Sequence, residues 1–322
     1  MDVVASDPSS KSKRPSRATL ADIVRGFGIE PDRIRFAARR SNTHWRVTAG
    51  GDVYALRRFG VWGRTTPGDV DWEVAAVEAY AAAGAPVPRP IAPPQWVGGE
   101  VWLMMPWLAG RVLHGQSGRR PPVSDAEYRR LGALLAEHHL ATAAMAAPAQ
   151  RPGMGECARG AAPEIGGVAR RDQLLDALAR VDAAAASRFR AAAEALGARG
   201  LPARLAGSPL RIVHADFSTW NVKVAGGRLV GLFDFDCAHL DVRAADVAAA
   251  RRGYHDPVVE GYVSVTQLSG DELGALDGLW LGGILNGLWR VLEDRLAAGD
   301  GDLMYGLGWH LEQLDKIRPY RG

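Results

Sequence analysis

The sequence predicts an α+β protein in two parts, and three observations carry that prediction. Short alternating apolar runs joined by glycine-bearing turns fill the first hundred residues, helix-period segments follow residue 124, and one further hairpin interrupts the helices at residues 211–236. With 322 residues, 47% of them hydrophobic, the chain can bury a sizeable core. The net charge is +3 and the arginines are dispersed, without the basic stripe a nucleic-acid surface needs, so no nucleic-acid partner is expected. Two cysteines, Cys157 and Cys237, lack C-x-x-C spacing; neither a disulfide framework nor a zinc knuckle is indicated, and a reducing cytoplasm fits. The apolar stretch Leu279 to Leu292 is broken by Gly282, Gly283, Asn286 and Arg290 and is too short and polar to span a bilayer, so no membrane partner is expected.

Taken in order, residues 1–18 are polar and rich in Ser, Lys, Arg and Pro, and read as a disordered tail. Leu20 to Phe27 reads as a helix. A strand opens at Arg33, another leaves through His44 to Thr48, and Ala49-Gly50-Gly51-Asp52 turns the chain into a third, Val53 to Phe59. Asp69 to Ala83 places Trp72, Ala75, Ala76, Ala79 and Tyr80 at helical spacing and stops at Gly84 and Pro86. Trp96 to Trp107 reads as a hairpin turning at Gly98-Gly99. After a Gly/Arg/Pro-rich linker from Gly115 to Pro122, Ser124-Asp125-Ala126-Glu127 has the form of a capping box and opens a helix through His138-His139. Ala146 to Arg170 is aperiodic and reads as a mobile loop, and Gln173 to Leu196 as one helical stretch. Leu273 to Leu296 and Gly306 to Leu314 read as helices.

The chemistry concentrates between Arg211 and Ala249. Asn221 to Val224 alternates toward Gly226-Gly227, and Leu229 to Phe233 returns as a second strand. This hairpin sets His214, Asp216 and Asn221 before one strand and Asp234 and Asp236 at the exit of the other. Moving a phosphoryl group to a hydroxyl requires a carboxylate to take or orient the hydroxyl proton, and oxygen ligands to hold Mg²⁺ against the phosphates. His214-x-Asp216-x₄-Asn221 followed by Asp234-Phe235 supplies both. The pattern resembles the catalytic loop and metal segment of the protein-kinase-like superfamily, in its small-molecule branch of aminoglycoside phosphotransferases and choline kinases.

That resemblance implies a two-lobed kinase-like fold, with a small antiparallel-sheet lobe at 19–107 and a larger, mainly helical lobe at 108–322. It implies ATP and Mg²⁺ as cofactors, Asp216 as catalytic base, Asn221 and Asp234 as metal ligands, Asp236 as a further metal contact, and His214 as a brace of the loop. Ser218 stands where protein kinases carry Lys and would contact the transferring phosphate or the acceptor; with Asp236 in place of the kinase Gly, it argues against a protein kinase. Neither G-x-G-x-x-G nor a P-loop is present, and Ser41-Asn42-Thr43 takes the phosphate-loop position. The four lysines, Lys11, Lys13, Lys223 and Lys316, all lie outside the small-lobe strands. In Tyr54-Ala55-Leu56-Arg57 the strand lysine's place is held by Arg57, whose expected helix partner is Glu73. Backbone groups of Met105 to Trp107 would hold adenine.

The expected activity is ATP-dependent transfer of a phosphoryl group to a hydroxyl of a small molecule, such as an aminoglycoside-type or other antibiotic. A homoserine, choline or sugar kinase is the alternative within the class. A nucleotide-binding module without catalysis and a phosphatase of the D-x-D type are the rivals from other classes. Oligomeric state is not readable from the residues.

Overall fold

The computed structural model describes residues 16–39, 42–60, 67–114, 122–146, 148–297 and 306–321. Ser41 and the linker residues 115–121 lie outside the described residues. In chain order the elements are α1 (Arg17–Gly26), β1 (Arg33–Arg39), β2 (Thr43–Ala49), β3 (Asp52–Arg58), α2 (Pro67–Ala82), β4 (Gln95–Val97), β5 (Glu100–Pro106), β6 (Arg111–Val112) and α3 (Asp125–Ala141). A single 3₁₀ turn at Cys157–Arg159 precedes α4 (Gly167–Ala179), α5 (Ala183–Gly197), α6 (Leu201–Arg204), β7 (Leu210–Val213), β8 (Val222–Ala225), β9 (Arg228–Leu232) and β10 (His239–Val242). The chain closes with α7 (Arg243–Arg251), α8 (Asp256–Val263), α9 (Gly270–Ala297) and α10 (Leu307–Lys316). No helix among the described residues is long and apolar enough to cross a membrane.

The chain divides into two compact units. The first comprises residues 1–61, 88–109 and 115–122. It is built on a five-stranded antiparallel sheet of order β1-β2-β3-β5-β4. Because side chains alternate across a strand, Trp45, Val47, Leu56, Trp102 and Met104 fall on one face, where they form a core with Leu20, Ile23, Val24 and Phe27 of α1. Arg57 and Met105 belong to the opposite face, in register with Leu103 and Ala55 respectively.

The second unit comprises residues 62–87, 110–114 and 123–322. Helix α2, grouped by the sequence reading with the strands of 19–107, counts with this unit. The cause is its apolar stripe: Trp72, Ala76, Val77 and Tyr80 are buried in the large helical core, and the Tyr80 hydroxyl donates to Ile212 O at 2.7 Å. Helices α3 and α8 approach closely through glycine. A Cβ on Gly132 would stand 1.9 Å from Val258 O, and one on Gly261 1.9 Å from Arg129 O, so neither position admits a side chain. The capping box opens α3 as expected, with Ser124 Oγ accepting from Glu127 N–H at 3.3 Å and Glu127 accepting from Ser124 N–H at 2.8 Å.

Two local expectations are corrected, and the short strands add pairings to the expected hairpin. The single helical stretch 173–196 is two helices, because Asp182 turns out of helix and caps α5 through Ala185 N–H at 2.9 Å. Strand β7 pairs with β10, while β8 and β9 take the two-residue β6 as a third strand. Strands of two to four residues carry too few positions for a periodic signal. Within Ala146 to Arg170, read as a mobile loop, Gln150 is bonded like a strand partner to Leu240, Nε2 to Leu240 O and Oε1 from Leu240 N–H, both at 3.0 Å.

Candidate active site

The catalytic-type loop follows β7 directly, and its shape is held by one buried carboxylate. Asp246, in the first turn of α7 and fully buried, accepts from the backbone N–H groups of His214 (2.9 Å) and Ala215 (2.8 Å) and faces His139 Nε2 at 3.2 Å. Burial alone would raise this carboxyl, but the hydrogen bond and charge of His139, joined by His214, bring it down to about 2. His139 is itself buried, its Nδ1 meeting the Tyr262 hydroxyl at 2.9 Å. Two backbone donors and an imidazole thus fix where the loop begins.

His214 braces the loop from within. Its Nε2–H donates to Phe233 O at 3.1 Å, and its Nδ1 accepts from Asp216 N–H at 3.3 Å. A carbonyl only accepts and an amide N–H only donates, so the ring is the neutral Nε2–H tautomer. Burial lowers its pKa in the same sense. Phe233 N–H in turn donates to Asn221 O at 3.2 Å. The strand end that delivers Asp234 is therefore tied at both of its polar groups to the loop that delivers Asp216.

Asp216 is gripped at both oxygens. Asn221 Nδ2 donates to Oδ2 at 2.7 Å and to the Asp216 backbone carbonyl at 3.0 Å, while Arg252 reaches Oδ1 at 2.6 Å. With its NH₂ spent on two acceptors, Asn221 keeps its amide oxygen for another partner. Burial pushes the Asp216 carboxyl above the ordinary carboxylate range, and Arg252, His214 and Asn221 oppose it. Asp236 adds a negative charge close enough to raise Asp216 further. The result is a carboxylate of enhanced basicity beside a second carboxylate, on a loop with no slack.

Backbone strain gathers at this site. Among the described residues the non-glycine positions with left-handed φ are Ala215 (57°), Asp234 (70°) and Arg252 (53°). Each costs roughly 1–2 kcal/mol, and all three belong to or adjoin the Asp216 network. Such strain persists where the surroundings over-determine it, as at sites that hold geometry for a reaction.

Arg151 is the residue that sequence reasoning missed. It is 3% exposed; its Nε donates to Asp69 at 2.6 Å, and a single terminal nitrogen donates to the carbonyls of Phe235 (3.1 Å), Asp236 (3.0 Å) and Ala238 (2.9 Å). One guanidinium therefore shapes the turn that carries Asp236. A lone arginine in an aperiodic stretch gives no sequence signal. Arg252 was missed for a related reason: it leaves α7 in the left-handed conformation, lies over the Trp220 ring at 4.5 Å, and reaches Asp216 only through the tertiary fold.

Other expected residues fare differently. Ser218, offered as a phosphate contact, is 3% exposed, and its Oγ is buried without a hydrogen-bond partner. The turn closed by Asn221 N–H on Ser218 O at 3.0 Å holds it within the loop. The expectation that Glu73 serves Arg57 joins residues of different units. Within its own unit Glu73 is buried 3.8 Å from Arg151. In the first unit, Arg57 is buried with its guanidinium 4.1 Å from the Phe59 ring centroid, Thr43 is buried, and Asn42 Oδ1 accepts from Gly60 N–H at 3.0 Å. Met105 is buried in β5. The N–H of Trp107 donates to Val53 O at 2.9 Å, continuing the β3–β5 ladder.

A five-stranded antiparallel sheet in one unit, and in the other a helical core bearing an H-x-D loop tied to a D-F-D turn, define a kinase-like α+β protein. The chain belongs to the phosphotransferase enzyme family, whose profile matches residues 32–278. Among curated proteins it is similar to a homoserine kinase of Xanthobacter autotrophicus, 31% identical over 304 residues, covering 88% of this chain and 86% of that protein. It is also similar to a homoserine kinase of Rhizobium etli, 33% identical over 127 residues. That match covers 36% of this chain and 39% of the relative, and the chain spans about a third to two-fifths of the rhizobial relatives it matches in this way. Among solved structures it is similar to spectinomycin phosphotransferase APH(9)-Ia with ADP and spectinomycin (TM-score 0.59, 14% identity, 95% of this chain and 96% of that one). A microcompartment-associated aminopropanol kinase shares the fold as well (TM-score 0.55, 16% identity, 94% of this chain and 100% of that one).

Proposed function

We propose that this protein is an ATP-dependent kinase that phosphorylates a hydroxyl of a small, amino-acid-like acceptor of the homoserine type. The observation that carries the chemistry is Asp216, a partly exposed carboxylate held at both oxygens by Asn221 and Arg252, on a loop tied through Phe233 to the strand end that leads into the oxygen donors Asp234 and Asp236. Those hard oxygen donors suit Mg²⁺, which would supply charge neutralisation at the β- and γ-phosphates. Asp216 orients the acceptor hydroxyl and takes its proton. His214 and Asp246 keep the loop in register, and Arg151 holds the turn that presents Asp236. In the first unit, Arg57, Asn42, Thr43 and Met105 are the proposed nucleotide contacts. The choice of acceptor is supported by the relative that aligns over 86% of its length.

The test is Mg²⁺-dependent ADP release across homoserine, other amino alcohols, choline, sugars and aminoglycosides. Stimulation by homoserine above the rest is the expected result. Stimulation by an aminoglycoside alone would move the acceptor to the antibiotic class. Silence throughout, with no thermal shift by Mg-ATP, would remove the kinase reading, and phosphomonoester hydrolysis without nucleotide would favour the phosphatase rival.

Arg252 gives a pH prediction. Its charge opposes the burial that raises Asp216, so Arg252→Ala should raise the base's pKa further. The base must be ionised to accept a proton; the acidic limb of the kcat/KM profile should therefore move to higher pH, with more activity lost at pH 6 than at pH 8. A limb that stays in place would show that Arg252 does not act on the base.

A further inference from the structure

We propose that Cys157, His239 and Asp241 form a binding site for one thiophilic divalent cation of the zinc class, separate from the oxygen donors around Asp216. The three ligand atoms lie within 4.8 Å of one another, and the residues are 5%, 4% and 0% exposed. His239 and Asp241 are two apart on β10 and so share a face of the strand. Cys157 comes from 82 residues earlier, at the start of the 3₁₀ turn. This separation hides the site from any reading of spacing.

His239 Nδ1 lies 2.8 Å from Cys237 O, and since a carbonyl only accepts, Nδ1 carries the proton. With Nδ1 so engaged, Nε2 faces Asp241 Oδ2 at 3.3 Å and Cys157 Sγ at 3.8 Å. Asp241 is already an acceptor twice over, at Oδ2 from Cys157 N–H and at Oδ1 from Val242 N–H, both at 2.7 Å. Sγ, Nε2 and Oδ2, three atoms of ligand type, thus converge on one point. A backbone carbonyl on the far nitrogen of a histidine is the outer partner that zinc sites use to fix the tautomer.

The dimensions agree. Zinc bonds of about 2.0–2.3 Å in tetrahedral array separate ligand atoms by roughly 3.3–3.6 Å. The observed 3.3 and 3.8 Å need an adjustment of only a few tenths of an ångström. The cysteine side is rigidly placed: a Cβ on Gly282 of α9 would stand 1.8 Å from Cys157 O, and Trp289 Nε1 donates to Gly160 O at 2.9 Å. A sulfur, nitrogen and oxygen set selects zinc or cobalt over magnesium. The bound cation would clip the 3₁₀ turn to β10, three residues beyond Asp236.

Cobalt provides the probe. The full chain, freed of metal by a chelator, is titrated with Co²⁺ both folded and during refolding, so that burial of the site does not bar entry. The expected result is one equivalent bound with a thiolate-to-cobalt charge-transfer band. The band should be absent in Cys157→Ser and His239→Gln, and present in Cys237→Ser, whose thiol is exposed, and in Asp234→Ala. No band in the unaltered chain under either regime would overturn the proposal, leaving an imidazolium–carboxylate pair in its place. Loss of the band in Cys237→Ser alone would overturn it too.

Discussion

Asp216→Asn should lose turnover by about 10²–10⁴-fold, the usual share of a positioned acid–base group, while nucleotide still binds with Mg²⁺. The substitution keeps the shape and leaves an oxygen to accept from Asn221, which now donates to Oδ2 at 2.7 Å. What it removes is the capacity to take a proton and the charge that pairs with Arg252 at 2.6 Å. Single-turnover phosphoryl transfer, measured beside nucleotide affinity, separates these effects. Turnover within tenfold of the unaltered protein would take Asp216 out of the mechanism.

Asp246→Ala should be the most damaging change to stability, at about 3–5 kcal/mol, as expected when one member of a buried, hydrogen-bonded charged group is removed. It strands the N–H groups of His214 and Ala215 and leaves His139 without its carboxylate. Catalysis should fall with stability, since Ala215 would lose what holds its left-handed backbone. Denaturant unfolding and activity, measured on one preparation, check both. Unchanged values for both would show that the loop is fixed by something else. The pH dependence has a definite sign. The folded carboxyl titrates at about 2, below its ordinary 3.8, so its contribution is fully present above about pH 4 and lost as pH falls toward 2. Asp246→Asn should lack that loss, giving a flatter acid limb of stability.

The catalytic spacing was legible because chemistry demands it locally. His214, Asp216 and Asn221 lie within eight residues, and Gly226-Gly227, both at positive φ, close the hairpin that brings Asp234 back beside them. Helices α2, α3, α9 and α10 were legible by their apolar period, and the opening of α3 by its capping box. Arg57 could be placed on its strand because alternation alone assigns its face. The assignment of α2 to the larger unit was not legible, since an apolar stripe announces that it will be buried and not against which core.

By itself, then, the sequence determined the kinase-like class, the loop that carries Asp216 and Asn221 and the turn that carries Asp234 and Asp236, because each is a short pattern whose parts touch through neighbouring backbone. Only the tertiary structure decided that Arg151 shapes the 235–238 turn, that Arg252 holds Asp216, and that Cys157 meets His239 and Asp241. These contacts join residues 36 to 87 positions apart. Their geometry depends on how whole helices and strands pack, and no local spacing in the chain encodes it.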